Sequence, residues 1–252
     1  MGNPEDIQKA KNGDKNLQGA DLSGIELSGK MEGDYCVEIL NLEGVNLKDA
    51  NLRGAHLYHI NMFSANLQGA DLSGATLFRL DLNNANMQEI NSSNAIFRSL
   101  KLTNANLQNS NLQGTEIDEH SDLDKVNLKD ADLRGVKVSL CNLKNTNFEG
   151  TNLNNAEFAA CDFRNTNLKE ASNLRNMQLY AVNLENVDLS GCDLRYTKFN
   201  KHTNFYKTNF GKADLRGAEF GDPLSGYADI SGANVKGAKG LFWLKMKGKV
   251  VY

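Results

Sequence analysis

An apolar residue recurs at every fifth position along most of this chain. In residues 65–74, ANLQGADLSG, one unit occurs twice: a small residue, Asn or Asp, Leu, then two polar or small residues. This spacing matches neither the 3.6-residue period of a helix nor the two-residue period of a strand. The small residue two places before each centre faces inward as well. The pattern therefore predicts a coil of short extended segments and turns, which must stack on its own neighbours to bury its apolar side.

The period is interrupted at a few places. The apolar centres fall into four blocks, residues 42–117, 123–168, 174–199 and 205–235, each displaced by one position from the block before. These displacements predict single-residue insertions near Asp122, Ser172 and Thr203. A longer irregular segment, residues 28–39, places Glu32 where an apolar centre belongs. It is predicted to be a loop projecting from an early turn, either as a functional element or as a tolerated insertion.

The A(N/D)LxG pattern resembles the pentapeptide-repeat family over about residues 16–238. The resemblance implies an all-β fold, a right-handed, four-sided parallel β-helix solenoid in which four repeats, about 20 residues, form each turn. About 11 turns are expected over residues 14–240. Residues one turn apart then stack, which predicts one inward column of bulky and then smaller side chains: Leu40, Ile60, Leu80, Leu100, Ser121, Cys141, Cys161 and Val182.

Residue volumes compensate for one another inside each repeat. Aromatic centres such as Phe97 follow a small inward residue, here Ala95, whereas the bulky Ile90 precedes Ser92, the one clear polar centre. An interior of fixed cross-section requires this exchange of volume. The solenoid is therefore predicted to be filled, with no cavity for a ligand.

Both ends of a solenoid need a cap. Residues 1–13 predict an N-terminal capping helix over residues 4–12, with Asn3 as N-cap, Pro4 at the first helical position and Gly13 at the end. Residues 241–252 depart from the repeat and contain Trp243. They are predicted to be a C-terminal cap or a dimer segment. The protein is accordingly expected to be a monomer or, as in related proteins, an end-to-end homodimer.

The sequence contains no recognisable catalytic or metal-binding motif. The acidic segment around His120, residues 116–124, could hold a cation, but a solvated loop is the preferred interpretation. The four cysteines lie far apart in sequence, and the net charge of −3 favours no nucleic acid. We expect a non-enzymatic, cytoplasmic, bacterial protein without cofactor, metal, direct nucleic-acid binding or membrane association. The N-terminus has no apolar core of a signal peptide.

Two outward-facing groups are candidate partner surfaces. The first is an arginine ladder on one face: Arg134, Asn154, Arg175, Arg195 and Arg216, with Arg53 further up the same face. Such a ladder could meet phosphates or carboxylates, although preceding aspartates at 132, 193 and 214 balance much of its charge. The second is aromatic: Tyr58 and Phe78 are predicted to stack, with Phe63 on the adjacent face and His56 and His59 nearby. Cross-strand stacking that only stabilises the turn is the alternative.

The predicted function is a non-enzymatic protein-binding scaffold whose partner is unknown. The family resemblance implies one alternative, a DNA mimic that binds DNA gyrase or topoisomerase and protects against quinolones. A phosphate mimic should present acidic columns, whereas basic residues outnumber acidic ones at the outward position after each centre. A further alternative is a bacterial effector exported without a recognisable signal.

Overall fold

A computed structural model describes residues 2–33, 35–222, 226–227, 229–230 and 233–240. Within these residues one helix, α1, precedes a succession of short strands. The elements are α1 Pro4–Lys11, β1 Glu26–Ser28, β2 Lys30–Glu32, β3 Tyr35–Glu38, β4 Leu40–Asn41, β5 His56–Tyr58, β6 Ile60–Asn61, β7 Thr76–Phe78, β8 Ile96–Arg98, β9 Glu116–Asp118, β10 Lys137–Ser139, β11 Glu157–Ala159, β12 Gln178–Tyr180, β13 Lys198–Phe199, β14 Glu219–Asp222 and β15 Gly226–Tyr227.

The strands stack in parallel along one side of a solenoid, face 1. In the described residues this side runs β1, β5, β7 to β14, with neighbours in register, as in Leu57 opposite Leu77. Face 2 contains the bridge Asn61–Asp81, face 3 the bridge Asn66–Asn86 and face 4 the bridge Asp71–Asn91. The chain is thus a four-sided parallel β-solenoid of about nine turns. The expected number of about 11 turns was too large; residues 29–39, which form hairpin β2–β3 outside the coil, explain only about half a turn of that difference.

The register shows where residues are added to the turns. Partners lie 20 residues apart at Asn61–Asp81 and 21 apart at Lys101–Asp122. The larger offset also occurs at Asn152–Asn173 and Asn183–Asn204. Single residues are therefore accommodated at about positions 119–121, 170–172 and 201–203, and the columns realign after each.

Three of the four corners are tight turns. At Leu67, for example, the carbonyl accepts a hydrogen bond from Ala70 N at 2.9 Å, and Gly69 has a φ of 70°. Asn66 completes the turn, since its Oδ1 accepts from Gln68 N at 3.2 Å and from the Asn86 side chain at 3.3 Å. Asn or Asp at the second repeat position thus closes its own turn, and an Asn also binds the turn before it.

The corner between faces 1 and 2, called corner 1/2 below, is different. The chain stays extended for three residues, and His59 N bonds to Phe78 O of the next turn at 3.0 Å. The bulky inward column lies here, with Ile60, Leu80 and Leu100 buried, as the sequence predicts. Two antiparallel hairpins, β2–β3 and β14–β15, also leave the coil at this corner.

The interior is packed with the apolar centres of all four faces. In the C-terminal half phenylalanines dominate, and Phe199 stacks on Phe220 with ring centroids 4.8 Å apart. Two interior cavities, lined by side chains such as Leu112 and Leu52, each measure about 10 Å³. Each is about the size of one water, so neither holds a ligand.

Helix α1 closes the N-terminal end. The Asn3 side chain accepts from Glu5 N at 2.9 Å, and Ala10 is buried against the first turn. Gly2 N and Asn3 N donate to carbonyls of the first turn on face 4, and a side chain at Gly2 would collide with the Asp21 backbone. The cap thereby pairs backbone groups that no earlier turn can reach. The predicted C-terminal cap or dimer segment, 241–252, lies outside the described residues.

Candidate partner-binding surface

Hairpin β2–β3 projects exposed apolar side chains. Met31 is 40% exposed, Val37 49% and Ile39 60%. The hairpin begins at Gly29, where a Cβ would collide with the carbonyl oxygens of Glu38 and His59. Only glycine permits this close approach of the hairpin base to corner 1/2. The fold therefore holds these apolar side chains, beside the exposed charges of Lys30, Glu32 and Glu38, on a protrusion at the side of the solenoid.

An open groove runs from the hairpin along corner 1/2. Its volume is about 570 Å³, and it reaches from Ile39 to Ser99, a span of three turns. Ile39 supplies its exposed apolar side chain, and the buried Ile60 and Leu80 lie beneath its floor. Its polar lining consists of Asn41, His59, Asn61, Arg79, Asp81, Ser99 and Lys101. A second open groove of similar size, about 600 Å³, follows the tight corner between faces 3 and 4, where Lys169, Lys212 and Lys236 line it.

Aromatic rings on face 1 lie beside the groove. Tyr58 and Phe78 meet edge to face with centroids 6.4 Å apart, and His56 stacks on Tyr58 at 6.1 Å. His59 packs edge-on against Phe78 at 5.5 Å, and the Arg79 guanidinium lies 4.9 Å from the Phe78 ring centroid. The spacing of one turn correctly predicts the Tyr58–Phe78 contact.

The His59 side chain is largely shielded from solvent within this cluster. Burial is the main cause that lowers the pKa of His59, and the neighbouring Arg79 charge lowers it further. Its φ of 56° places it in the left-handed region, where a bulky residue is uncommon. The ring therefore acts as a fixed wall between the groove and Phe78.

Phe63 is separate from these rings. It is 36% exposed on face 2, where its N–H donates to Asn61 Oδ1 at 3.0 Å. It makes none of the ring contacts found in the described part of the chain. The structure thus brings Tyr58 and Phe78 together and leaves Phe63 as an exposed ring across the adjacent face.

The arginine ladder forms as a column on face 4. Asn155 N bonds to Arg175 O, Asn176 N to Arg195 O, and Tyr196 N to Arg216 O, which places the arginines on successive turns. Their side chains are not free. Arg134 makes a two-pronged pair with Asp132 at 2.7 and 2.9 Å, and Arg216 binds Asp214 in the same way.

These ion pairs satisfy aspartates that cannot donate hydrogen bonds. Asp193 stacks directly on Asp214, the one place among the bridges of the described residues where two aspartates meet. Arg175 binds Asp193 at 2.6 Å, and Arg195 lies 2.9 Å from Asp193 and 3.9 Å from Asp214. Hydrogen bonds from Arg216 lower the pKa of Asp214. The ladder is therefore a neutralised structural element, which weakens its candidacy as an anion-binding surface.

The buried cysteines form neither a disulfide nor a metal site in the described residues. Cys141 and Cys161 are buried free thiols in the corner column, and burial raises the pKa of Cys161 to about 11. The Cys161 thiol donates to the Val138 carbonyl of the previous turn. In the described ranges no group of three or more metal-ligating side chains occurs. No helix there has the length and apolarity needed to cross a membrane.

The sequence interpretation missed the groove and Arg79. The bulky column at Ile60 and Leu80 marked the corner in the sequence, but it did not indicate an open groove there. No sequence feature singled out Arg79, because the property that distinguishes it is the lack of a carboxylate within ion-pair distance in the described residues.

The geometry defines the class of protein. It is a four-sided solenoid of five-residue repeats in which Asn or Asp side chains close the turns. Two family models match, pentapeptide repeats in eight copies over residues 41–79 and 77–114, and the pentapeptide repeat region over residues 139–203. Together they span just over half of the chain. The chain belongs to the pentapeptide-repeat family.

Solved structures of the same family are similar to this chain. HetL, a pentapeptide repeat protein involved in heterocyst differentiation regulation from the cyanobacterium Nostoc sp. strain PCC 7120, is 22% identical with 94% of each chain covered and a TM-score of 0.41. A trypsin-treated variant of QnrB1, a plasmid-mediated fluoroquinolone resistance protein, is 22% identical, with 85% of this chain and 99% of that chain covered and a TM-score of 0.39. At these low values no function is carried from them. No curated protein matches the chain.

Proposed function

We propose that this protein is a non-enzymatic scaffold that binds another protein through the hairpin surface, defined here as hairpin β2–β3, the corner groove and Phe63. One observation carries the proposal. The described residues include seven large apolar or aromatic side chains that are at least 36% exposed, and four of them belong to this surface: Met31, Val37, Ile39 and Phe63. Large apolar side chains exposed on and beside a projecting segment are typical of protein interaction sites.

The rest of the solenoid supports a scaffold role. Pentapeptide-repeat proteins are generally non-enzymatic binding proteins. Asn and Asp side chains at the second repeat position close turns, and the face 4 arginines neutralise aspartates, so these polar groups serve the fold. Hairpin β2–β3, in contrast, leaves the coil and pairs only its own two strands. Function grafted on a rigid scaffold is usually carried by such projecting segments.

Photo-crosslinking in the source organism tests the proposal. A benzophenone amino acid replaces Ile39 or Phe63, and Gln108 on face 3 serves as the matched control position. We expect a crosslinked partner from the two hairpin-surface positions only. The crosslink from position 63 should be lost when Ile39→Asp is added, with an unchanged circular dichroism spectrum. Equal crosslinking from Gln108, or none from either hairpin-surface position, would refute the proposed surface.

The gyrase-directed DNA mimic is kept as an alternative partner assignment. It requires continuous acidic columns, whereas carboxylates such as Asp132 and Asp214 are paired with arginines. A gyrase supercoiling assay with and without a quinolone distinguishes the two. Inhibition, or rescue from the drug, would make gyrase the partner, and no effect would leave the general scaffold.

A cytoplasmic location in a bacterium is part of the proposal. Cell fractionation separates it from the effector alternative, in which the chain would appear in the culture medium in a secretion-dependent way.

A further inference from the structure

Arg79 is the exception among the arginines of this chain. All eight lie in the described residues, and seven form ion pairs with Asp or Glu: Arg53, Arg98, Arg134, Arg164, Arg175, Arg195 and Arg216. Arg79 has no carboxylate within 4.0 Å in the described part of the chain. The nearby Asp81 instead pairs with Lys101 at 3.6 Å.

The Arg79 side chain is nevertheless held in place. Its guanidinium lies over Phe78, which His59 and Tyr58 contact edge-on. A guanidinium stacked on a ring keeps its N–H donors available for a ligand. It also loses less conformational freedom when a carboxylate binds than an arginine side chain that is not held in place. Arg79 is thus an exposed, oriented cation at the side of the groove.

The groove offers complementary contacts for an extended chain. Ile39 presents an exposed apolar side chain at one end, and Asn41 presents its amide beside it. Three turns at about 4.8 Å give about 14 Å, the length of about four extended residues. The corner backbone is already used, as in Asp81 N to Ile60 O at 3.1 Å, so a ligand must be read by side chains instead of joining as a strand.

We propose that the corner groove binds an extended acidic segment of the partner protein. One carboxylate of the segment pairs with Arg79, and an apolar side chain of the segment packs against Ile39. This inference rests on the proposed function and names the chemistry of its ligand.

A peptide array provides the test. The probes are labelled hexapeptides with one Asp, Glu or free C-terminal carboxylate and one Leu, Ile or Phe at every spacing, each paired with its Asn, Gln or amide counterpart. We expect a subset of carboxylate peptides to bind at least tenfold more tightly than their amides. Arg79→Gln should remove that preference, Arg79→Lys should restore part of it, and Arg134→Gln, whose guanidinium is already paired, should leave it intact.

The outcomes separate the two proposals. If the carboxylate and amide peptides bind equally, or if Arg79→Gln changes neither peptide binding nor crosslinking from Ile39, the acidic-segment inference is wrong while the scaffold surface stands. If no array peptide binds but crosslinking at Ile39 persists, the inference is likewise wrong. If crosslinking also fails, the proposed function itself is refuted.

Discussion

The repeat centred on Ser92 tests whether each turn has a fixed internal volume. On face 4 the turns on either side combine a small residue with leucine: Ala70 with Leu72, and Ser110 with Leu112. In this repeat the sizes are exchanged: the bulky Ile90 occupies the small position and the small Ser92 occupies the centre. Both are buried, at 1% and 0% exposure. The perturbation is a double-mutant cycle of Ile90→Ala and Ser92→Leu.

The single changes have calculable costs. Ile90→Ala removes three buried carbons, about 2.4 kcal/mol of transfer free energy, and the remaining cavity raises the range to about 2–5 kcal/mol. Ser92→Leu adds volume beside an intact Ile90, and overpacking costs about 1–3 kcal/mol. It also removes the hydrogen bond from Ser92 Oγ to Asn111 O, at 3.3 Å.

The double variant should recover most of this stability. It restores the combination found in the neighbouring turns, and volume-conserving exchanges cost less than about 1.5 kcal/mol. The coupling free energy should therefore be at least about 1.5 kcal/mol. Urea unfolding followed by far-UV circular dichroism measures all four proteins, and the converse exchange, Ala70→Ile with Leu72→Ser, is the control. Additive costs in the double variant would refute volume compensation.

Three other predictions concern stability. Leu80→Asp should prevent folding because it buries an unpaired charge in the apolar corner column, whereas Leu80→Met should cost less than about 1.5 kcal/mol; a normal melting curve for Leu80→Asp would contradict the column. Leu140→Gly should raise the unfolding free energy by about 0.5–1 kcal/mol, because Leu140 has a φ of 56°, and the reverse change Gly135→Leu should lower it. Because the pKa of Asp214 is lowered, its pairing with Arg216 stabilises the fold above about pH 4 and is lost as pH falls through the folded-state pKa; Arg216→Gln should lower the urea midpoint at pH 7 but not near pH 2, and an equal deficit at both would refute the pairing.

The fold could be predicted from the sequence because the five-residue period reflects which side chains must be buried. Every fifth side chain must be buried, so the centres and the bulky column at Ile60 and Leu80 could be read directly. Hairpin β14–β15 could not. Asn209 pairs with Asn234, 25 residues on, so the excursion adds one repeat length to the turn and leaves the five-residue period of the sequence unchanged.

The candidate surface was predicted only in part. The Tyr58–Phe78 contact depends on stacking distance alone, which the repeat supplies. The aspartates two residues before Arg134, Arg195 and Arg216 predicted the pairing of these arginines. The lack of a carboxylate partner for Arg79 depends on side-chain positions in neighbouring turns, since Asp81 pairs with Lys101 instead. The difference between paired and unpaired arginines becomes visible only when the distances from each guanidinium to the neighbouring carboxylate oxygens are known.

Corner 1/2 accepts additions of very different length. Hairpins leave the coil there after β1 and β14, and extra residues occur there after β9 and β13. Since each turn advances the solenoid by about 4.8 Å, this edge resembles a ruler with attachment points at regular intervals. A peptide grafted after one strand could be moved along the axis in such steps by choosing the next turn. The corner would thus serve as a site for displaying several recognition loops at set separations on one rigid support.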